Sequence, residues 1–493
     1  MRPLRIINRP RLRSLEHSGR ERHASWLELF FDLVFVLAVA QVAYSFSHDL
    51  TITGALRYFA VFAFVWYAWV GYAFYANRFE SEEATYRLLM FAGMLGVAAL
   101  AMSVRGAFTP EGVAAFTLSY VAVRVVLIVL YARAAYYVPL AREFCVRYIA
   151  GFSFGAALWL SSLLFAAPFR YWLWAAGLAA ELFTPFINNR IIDRTPFDTS
   201  HMPERFGLFT IIVLGEAVIA AATGASQVEW RVTNVLTAAL GFSIAAAMWW
   251  IHFEFVEDYA LRRGRAWARY LYMYGHYVMV AGIVATGIGV EHAIEEAGSG
   301  EHLSLSTRST LLGGAALFLV AITAIRLASQ ICRLIWTRIS AIAIAFALMA
   351  TGWFLPPIAV VCVLLLALVG EVWMESRYDE SGHEESLEEQ PVKCEHVKEV
   401  RPVEPKTKGC EECLKGKQKW VHLRLCLSCG HVGCCDSSEN KHASRHFRET
   451  EHPVMKSLEQ GEDWAWCYLD ESFVTINMQA GSRAEDSTEL QLT

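Results

Sequence analysis

The densest group of chemically active side chains lies near the C-terminal end, where eleven candidate metal ligands, all cysteine or histidine, fall within about 75 residues. These candidate metal ligands are Cys394, His396, Cys410, Cys413, Cys426, Cys429, Cys434, His442, His446, His452 and Cys467. Two thiolates separated by two residues fit a tetrahedral Zn²⁺ ion, and two histidines four residues apart share one helix face. A reducing cytosol would keep these thiols available, so a disulfide framework is the weaker interpretation. The pattern therefore predicts a zinc-binding module.

A second set of chemically active residues interrupts long apolar stretches, where each ionisable group is costly. The set comprises Glu28, Asp32, Arg124, Glu181, Glu216, His252, Glu254 and His276. One interpretation is structural: Arg124 neutralises one carboxylate, and the other groups face loops or water. The alternative is a proton or ion path through a polar centre, which the surplus of acids over one arginine slightly favours. His252 and His276, taken separately, are more typical of hydrogen-bonded helix histidines than of ligands.

The elements that must hold this second set are predicted to be membrane-spanning helices. The 493 residues are 55% apolar and 18% charged, whereas soluble chains carry about 25% charged residues. About twelve stretches are long enough to cross a bilayer. They are 27–46, 55–77, 87–104, 113–135, 144–165, 170–189, 206–224, 233–255, 270–290, 309–327, 339–355 and 357–374. The last two meet at Pro356 and Pro357, so a single re-entrant hairpin is an alternative there.

The distribution of arginines predicts the orientation of these spans. Of the 28 arginines in residues 1–374, 22 fall on the side that holds the N-terminal arm and five on the opposite side, while Arg124 lies within a span. Positive charge accumulates on the cytoplasmic side of membrane proteins. The alternation therefore predicts an even number of spans with both termini in the cytoplasm.

A weak internal similarity accompanies the even number of spans. The segment that begins at Glu28 resembles the one that begins at Glu204, and the sequence around Glu181 resembles that around Glu371. Offsets of 176 and 190 residues suggest two parallel six-helix halves, although apolar sequences also resemble one another by chance. The predicted fold is an all-α polytopic membrane protein with about twelve helices and a possible six-plus-six repeat, followed by a small α+β zinc-binding domain.

Two motifs in the spans carry a family resemblance. Ser25-Trp-Leu-Glu-Leu-Phe-Phe-Asp-Leu-Val-Phe-Val and Glu204-Arg-Phe-Gly-Leu-Phe-Thr-Ile-Ile-Val-Leu-Gly-Glu216 resemble the bacterial low-temperature-requirement A (LtrA) membrane proteins over about residues 20–375. The resemblance implies a multi-pass protein of the bacterial inner membrane and supplies no mechanism.

The chain is predicted to divide into five segments. They are a basic cytoplasmic arm (1–25), the transmembrane domain (26–374), an acidic linker (375–392), the zinc module (393–475) and a flexible tail (476–493). The net charge of −5 is small and mixed, which argues against nucleic-acid binding.

The spacing of the metal ligands, together with Trp420, resembles the UBP-type zinc finger. In its three-zinc form, the resemblance implies three ligand groups and a Zn²⁺ ion at each. The first holds Cys410, Cys413, Cys434 and His442, the second Cys426, Cys429, His446 and His452, and the third Cys394, His396 and Cys467. Asp470 stands where the family has a cysteine as the fourth ligand of the third ion, and carboxylates also ligate zinc. Cys435 is expected to be a thiol outside these sites.

The UBP-type resemblance also implies a pocket for the free C-terminus of ubiquitin. Trp420, Trp466 and Tyr468 match its aromatic positions, but Asp436 stands where the family has the arginine that pairs with the tail carboxylate. An acid facing a carboxylate repels it, so ubiquitin-tail recognition is doubtful. A folded module without a partner and a module for another protein or peptide both remain open, the second being favoured.

Three classes of function are weighed for the whole chain. The favoured one is a secondary transporter or permease in the lipid bilayer, ion-coupled, with the zinc module binding or sensing a partner. The alternative is a non-transporting membrane sensor or scaffold that signals through the zinc module. An enzyme ranks third, because the sequence has no nucleophilic triad or phosphate-binding loop and metal occupies the thiols. The chain is therefore expected to have no catalytic activity.

Overall fold

The computed structural model describes most of the chain. The described residues are 10–12, 24–80, 83–187, 201–255, 266–299, 302–328, 335–386, 394, 396–397, 400, 403–416, 418–435, 438, 440–459, 464–469 and 472–474. They form two compact units, Met1–Tyr378 and Asp379–Thr493, and each is described by itself.

Twelve long helices make up the first unit in the part of the chain that the structure describes. They are α1 (Trp26–Ser47), α2 (Ile52–Arg78), α3 (Ala84–Ser103), α4 (Val113–Tyr137), α5 (Arg142–Ser162), α6 (Phe169–Ile187), α7 (His201–Gln227), α8 (Val232–Phe255), α9 (Ala266–Ser299), α10 (Leu305–Ala328), α11 (Ile335–Thr351) and α12 (Pro357–Ser386). Eleven helices in the described chain are long and apolar enough to cross a membrane, and α6, which carries Arg170 and Glu181, is not among them. The predicted polytopic all-α fold is confirmed.

Three local features refine the sequence prediction. The last two stretches form separate helices, each long enough to span, as the prediction of twelve stretches has them. Helix α12 continues to Ser386, so the first part of the acidic linker is helical and not an unstructured tether. The N-terminal arm is partly structured as well, because strand β1 (Arg11–Leu12) pairs antiparallel with strand β2 (Phe79–Glu80).

The helix contacts repeat with a period of six helices. Helix α1 packs against α2 and α3, α3 against α4, and α4 against α5; the same contacts recur between α7, α8, α9, α10 and α11. The two sets meet where α1 and α2 pack against α7 and α9. This recurrence joins the first five helices of each half in the same way and agrees with the internal similarity of the sequence.

Glycines allow the long helix α9 to pack at the centre of the second half. A Cβ added at Gly287 would lie 2.7 Å from Ala217 Cα on α7, and one at Gly282 would lie 2.7 Å from the Gly314 carbonyl oxygen on α10. Small residues at such crossings let helix backbones approach within van der Waals distance in membranes. Substitution at either glycine would force α9 away from its neighbours.

The second unit is a small antiparallel sheet with two short helices. The strands are β3 (Leu423–Cys426), β4 (Val432–Cys434), β5 (Val454–Ser457), β6 (Ala465–Cys467) and β7 (Ser472–Val474), in the order β4-β3-β5-β6-β7. Helix α13 (Glu411–Gly416) precedes the sheet, and α14 (His442–Thr450) joins β4 to β5. The predicted α+β zinc-binding domain is confirmed.

Candidate metal centres and buried polar groups

The first metal centre joins α13, β4 and the beginning of α14. The thiols of Cys410, Cys413 and Cys434 lie 3.1, 3.2 and 3.3 Å from Nδ1 of His442, and the Cys413 and Cys434 sulfurs are 3.9 Å apart. All four side chains are buried. A tetrahedral zinc ion, bound at about 2.3 Å from sulfur and about 2.0 Å from nitrogen, separates its ligand atoms by roughly 3.5–3.8 Å. This donor set fits zinc, and the sulfur–nitrogen distances are only a few tenths of an ångström shorter than the spacing around a bound ion.

The second centre lies between the β3–β4 turn and the end of α14. Cys426 Sγ lies 3.6 Å from His452 Nδ1, and Cys429 Sγ lies 3.3 Å from His446 Nε2. Gly430 closes the turn with φ of +77° and donates its N–H to the Cys426 carbonyl, which is why a residue without a side chain follows the second thiol. The four side chains again form one group with two sulfur and two nitrogen donors.

The protonation state of His446 suits metal binding. Burial, with His431 and His452 close by, lowers the pKa of His446 to about 4. Its ring is therefore neutral at pH 7 and can offer a lone pair, as metal binding requires. His431 stacks on His446 at 4.0 Å between ring centroids and donates from Nε2 to Glu412 Oε1 over 2.9 Å, which fixes the ring pair.

The third group is smaller. Cys394 and Cys467 lie 3.9 and 3.7 Å from Nδ1 of His396. Asp470, the expected fourth ligand, lies outside the described residues. Cys435 is buried outside the three groups, with its sulfur 3.9 Å from His422 Nδ1.

The aromatic residues expected to form a partner pocket pack in different parts of the zinc module. Trp420 packs against the first metal centre, while Trp466 lies in β6 and Tyr468 directly after it. Tyr468 stacks on Phe447 at 4.9 Å between ring centroids and accepts a hydrogen bond from Ser444. Asp436 lies outside the described residues, so its place relative to these rings stays a prediction.

In the first unit, Arg124 on α4 and Glu181 on α6 form a fully buried ion pair. Arg124 Nη2 lies 2.6 Å from Glu181 Oε2, and Tyr120 donates to the same carboxylate oxygen over 2.9 Å. Pro185, inside α6, cannot donate to the Glu181 carbonyl, and Tyr67 of α2 donates to that carbonyl over 2.7 Å. The structural interpretation of Arg124 therefore applies to Glu181. Sequence reasoning did not identify either tyrosine.

Asp32 is held by residues that are distant in the chain. Its Oδ1 accepts hydrogen bonds from Trp69 on α2 and from Arg205 on α7, both over 2.7 Å. The sequence prediction placed Arg205 in a loop before the seventh span, but α7 already begins at His201 and Arg205 is only 1% exposed. Glu28 has a local role, because it and Ser25 form the capping box at the start of α1.

Three ionisable residues in α7, α8 and α9 lack a charged partner in the described part of the chain. Glu216 has no hydrogen bond or ion pair there, although it is only 9% exposed. His276 Nδ1 bonds the Tyr272 carbonyl over 2.7 Å, as expected for a helix histidine, while its Nε2 has no partner among the described residues. The His252 ring lies 5.5 Å away, centroid to centroid. Glu254, by contrast, is exposed.

A cavity that is partly open to the surface lies where the two halves meet. We name it the aromatic pocket, because eight of its fifteen lining residues are Phe or Tyr. Helices α2, α4, α5 and α6 contribute from the first half, and α7 and α9 from the second. Among the described lining residues, the charged ones are Arg78 and Arg269. Sequence reasoning could not find this pocket, since no motif marks it.

Two family models match different parts of the chain. One, described as bacterial low temperature requirement A protein (LtrA), matches residues 23–372, and another, described as Zn-finger in ubiquitin-hydrolases and other protein, matches residues 410–479. An uncharacterized protein of Rhizobium meliloti (strain 1021) is 28% identical over 310 residues, which is 57% of this chain and 75% of the relative.

The zinc module has relatives of its own. Ubiquitin carboxyl-terminal hydrolase 44 of Ailuropoda melanoleuca is 35% identical over 95 residues, which is 18% of this chain and 12% of the hydrolase. The similarity thus spans only about an eighth of the hydrolase. A solution NMR structure of a protein from Rhodopseudomonas palustris is 52% identical and covers 17% of this chain and 83% of that chain, with a TM-score of 0.17.

These matches confirm both resemblances found in the sequence. The first family model covers the helices that carry the motifs at Ser25 and Glu204, and the second covers the ligands of the first two metal centres together with Cys467. The chain belongs to the bacterial low temperature requirement A (LtrA) family and carries a UBP-type zinc finger after its membrane helices.

Proposed function

We propose that the helical unit is a secondary transporter or permease of the bacterial inner membrane, coupled to an ion, with no enzymatic activity. The observation that carries this proposal is the position of the aromatic pocket between the two halves. Transporters built from structural repeats bind their substrates at the repeat interface, and the halves move about that site.

The buried ionisable groups support coupling to protons. Glu216 on α7 is nearly inaccessible, and so are His252 on α8 and His276 on α9, whose rings neighbour each other. The described part of the chain offers these groups no counter-charge. Such groups are costly in a bilayer and typically mark proton or ion paths. The ion pairs of Glu181 and Asp32 are structural by comparison, because each has an arginine partner.

We further propose that the zinc finger lies in the cytoplasm, binds three zinc ions and recognises a protein or peptide. Twelve spans, with α6 counted among them, are an even number and would return the chain to the side of the membrane on which it began. The closeness of the Cys and His ligand atoms in all three groups supports three ions, with Asp470 as the fourth ligand of the third. The predicted domain boundaries, 26–374 and 393–475, are kept in this proposal.

Proteoliposomes with purified full-length protein test the transport proposal. We expect a pH gradient to drive uptake of an organic solute from a labelled library, and a protonophore to abolish that uptake.

The alternative function, a sensor or scaffold, is favoured by the dense ion pairing of α10, α11 and α12, where Arg338 pairs with Glu371 and Glu375. Absence of uptake for every library member, with folded protein in the vesicles, would support that alternative.

A further inference from the structure

The lining of the aromatic pocket combines flat apolar rings with positive charge. Arg78 at the end of α2 and Arg269 near the start of α9 line it, and the described lining residues include no Asp or Glu. Arg78 is only 1% exposed, and its guanidinium lies 4.7 Å from the Phe144 ring centroid and 5.6 Å from that of Phe74. The rings therefore hold one guanidinium in a fixed position at the pocket wall.

Tyr131 on α4 supplies an independent indication of a ligand. Its side chain lines the pocket and is completely buried, and its hydroxyl has no hydrogen-bond partner among the described residues. Nearly all buried hydroxyls in proteins are hydrogen-bonded, because leaving one unbonded costs about 1–3 kcal/mol. The tyrosine rings of Tyr131 and Tyr148 stack at 5.5 Å between centroids, which fixes the direction of the hydroxyl-bearing ring.

The shape of the lining distinguishes between kinds of apolar ligand. Rings from five helices line the pocket, among them Tyr67, Phe152, Phe206 and Tyr270. Aromatic side chains pair with other rings in offset or edge-to-face geometry and gain energy beyond the burial of area. A planar aromatic body thus uses this lining better than an aliphatic chain does.

We infer that the aromatic pocket binds an aromatic carboxylate, with Arg78 and Arg269 facing its negative charge and Tyr131 donating a hydrogen bond to it. This assignment rests on the proposed transport function and names its substrate class. An anionic lipid also offers a negative head on an apolar body, and the experiment separates the two sources.

The test measures equilibrium binding of radiolabelled benzoate and indole-3-acetate to the full-length protein in phosphatidylcholine nanodiscs. We expect saturable binding, with benzamide, indole-3-acetamide and hexanoate competing at least tenfold less well than the acids. Tyr131→Phe and Arg269→Gln should each weaken binding about tenfold, since hydrogen bonds to charged groups contribute about 1.5–3 kcal/mol. Arg105→Gln is the matched control, because Arg105 is exposed and stacks on Tyr44 outside the pocket.

Each remaining outcome counts against the assignment. If the amides compete as well as the acids, the negative charge of the ligand has no role in binding. If hexanoate competes as well as the acids, the aromatic ring of the ligand has no role. Loss of acid binding in phosphatidylglycerol nanodiscs assigns the pocket to a lipid. If no acid binds, the pocket is not an aromatic-carboxylate site, even if the vesicles transport another solute. If the acids bind but are not transported, the transport proposal is refuted and the binding site stands. Tyr131→Phe keeps the buried ring, so a misfolded arginine variant would not prevent a decision.

Discussion

Arg124 Nη2 and Glu181 Oε2 are 2.6 Å apart in a site where neither side chain is exposed. The guanidinium also lies 4.8 Å from the Tyr120 ring centroid and 5.5 Å from that of Phe152, so the pair is surrounded by aromatic groups. A charge pair this deep has no water to replace a lost partner. It ties α4 to α6, the helix that is not among the eleven apolar candidate spans.

The first prediction follows from that pair. Glu181→Gln and Arg124→Gln should each destabilise the helical unit by about 3–5 kcal/mol, because one buried charge is left without its partner. The double variant should be less destabilised than the sum of the two single variants. Thermal melting in detergent, monitored by fluorescence-detected size-exclusion chromatography, measures these changes in stability. The exposed pair Arg147 and Glu143 is the control, and neutralising it should change stability little. Equal small effects at both pairs would contradict the structural role of Glu181.

How far the sequence anticipates the structure depends on whether the determining residues are close in the chain. Apolar length alone is sufficient for most of the helices, because each must satisfy its own backbone in lipid. The Cys-x₂-Cys spacings likewise anticipate the metal centres, since both thiols of a pair come from one turn. The capping box of Ser25 and Glu28 is equally local, although the sequence pattern indicates Glu28 only as part of the polar core.

Contacts between distant segments could not be read in this way. Asp32 and Arg205 are separated by 173 positions, and no pattern in either segment predicts that the two residues pair. The aromatic pocket is lined by six helices from different parts of the chain, so it forms only when these helices pack together. Glu375, the first residue of the acidic linker, pairs with Arg326 and Arg338, which anchors this turn of α12 to α10 and α11.

The second prediction concerns metal content. Inductively coupled plasma mass spectrometry of the full-length protein should find three zinc ions. A chelator should unfold the zinc finger, because metal binding supplies most of the folding free energy of so small a domain. Cys413→Ser, Cys429→Ser and Cys394→Ser should each remove about one ion, and Asp470→Ala should lower the content towards two. Cys145→Ser, in α5, should remove none. A single ion in the unsubstituted protein would refute the three-site assignment.

The third prediction concerns the partner of the zinc finger. A peptide that ends in the free glycine tail of ubiquitin should bind weakly, because the acid at position 436 repels its carboxylate. Asp436→Arg should strengthen that binding, and Asp436→Asn should fall between the two. Calorimetry with the full-length protein in detergent measures the series. Micromolar or tighter binding by the unsubstituted protein would show that Asp436 does not face the tail.

The fourth prediction concerns topology. Reporter fusions after residues 50 and 230 should score as external, and a fusion at Arg265 should score as internal, because arginine alternates between the loops. A C-terminal fusion should score as internal if α6 crosses together with the eleven apolar helices. An external C-terminus would mean an odd number of spans and would make α6 the first helix to reconsider.

Glu216 provides the sharpest test of transport, because its surroundings differ from those of the paired acids. It lies on α7 beside Ala217, and a Cβ added at Gly287 of α9 would lie 2.7 Å from Ala217 Cα. Glu291, one turn further along α9, acts on it as a like charge and accepts a hydrogen bond from Ser47 over 3.3 Å. The described residues give Glu216 no cation, so a structural ion pair does not explain its burial.

Glu216→Gln keeps the shape and hydrogen-bonding capacity of the side chain but removes its ability to titrate. If Glu216 carries the coupling proton, the variant should melt within a few degrees of the unsubstituted protein and lose at least about tenfold in proton-driven flux, as expected for an essential acid. Glu181→Gln and Asp32→Asn, each of which strands a buried arginine, should instead lower the melting temperature. Melting and liposome flux measured on all three variants separate the cases. Full flux in Glu216→Gln would remove this residue from the proton path, and a lowered melting temperature without flux in any protein would favour the scaffold.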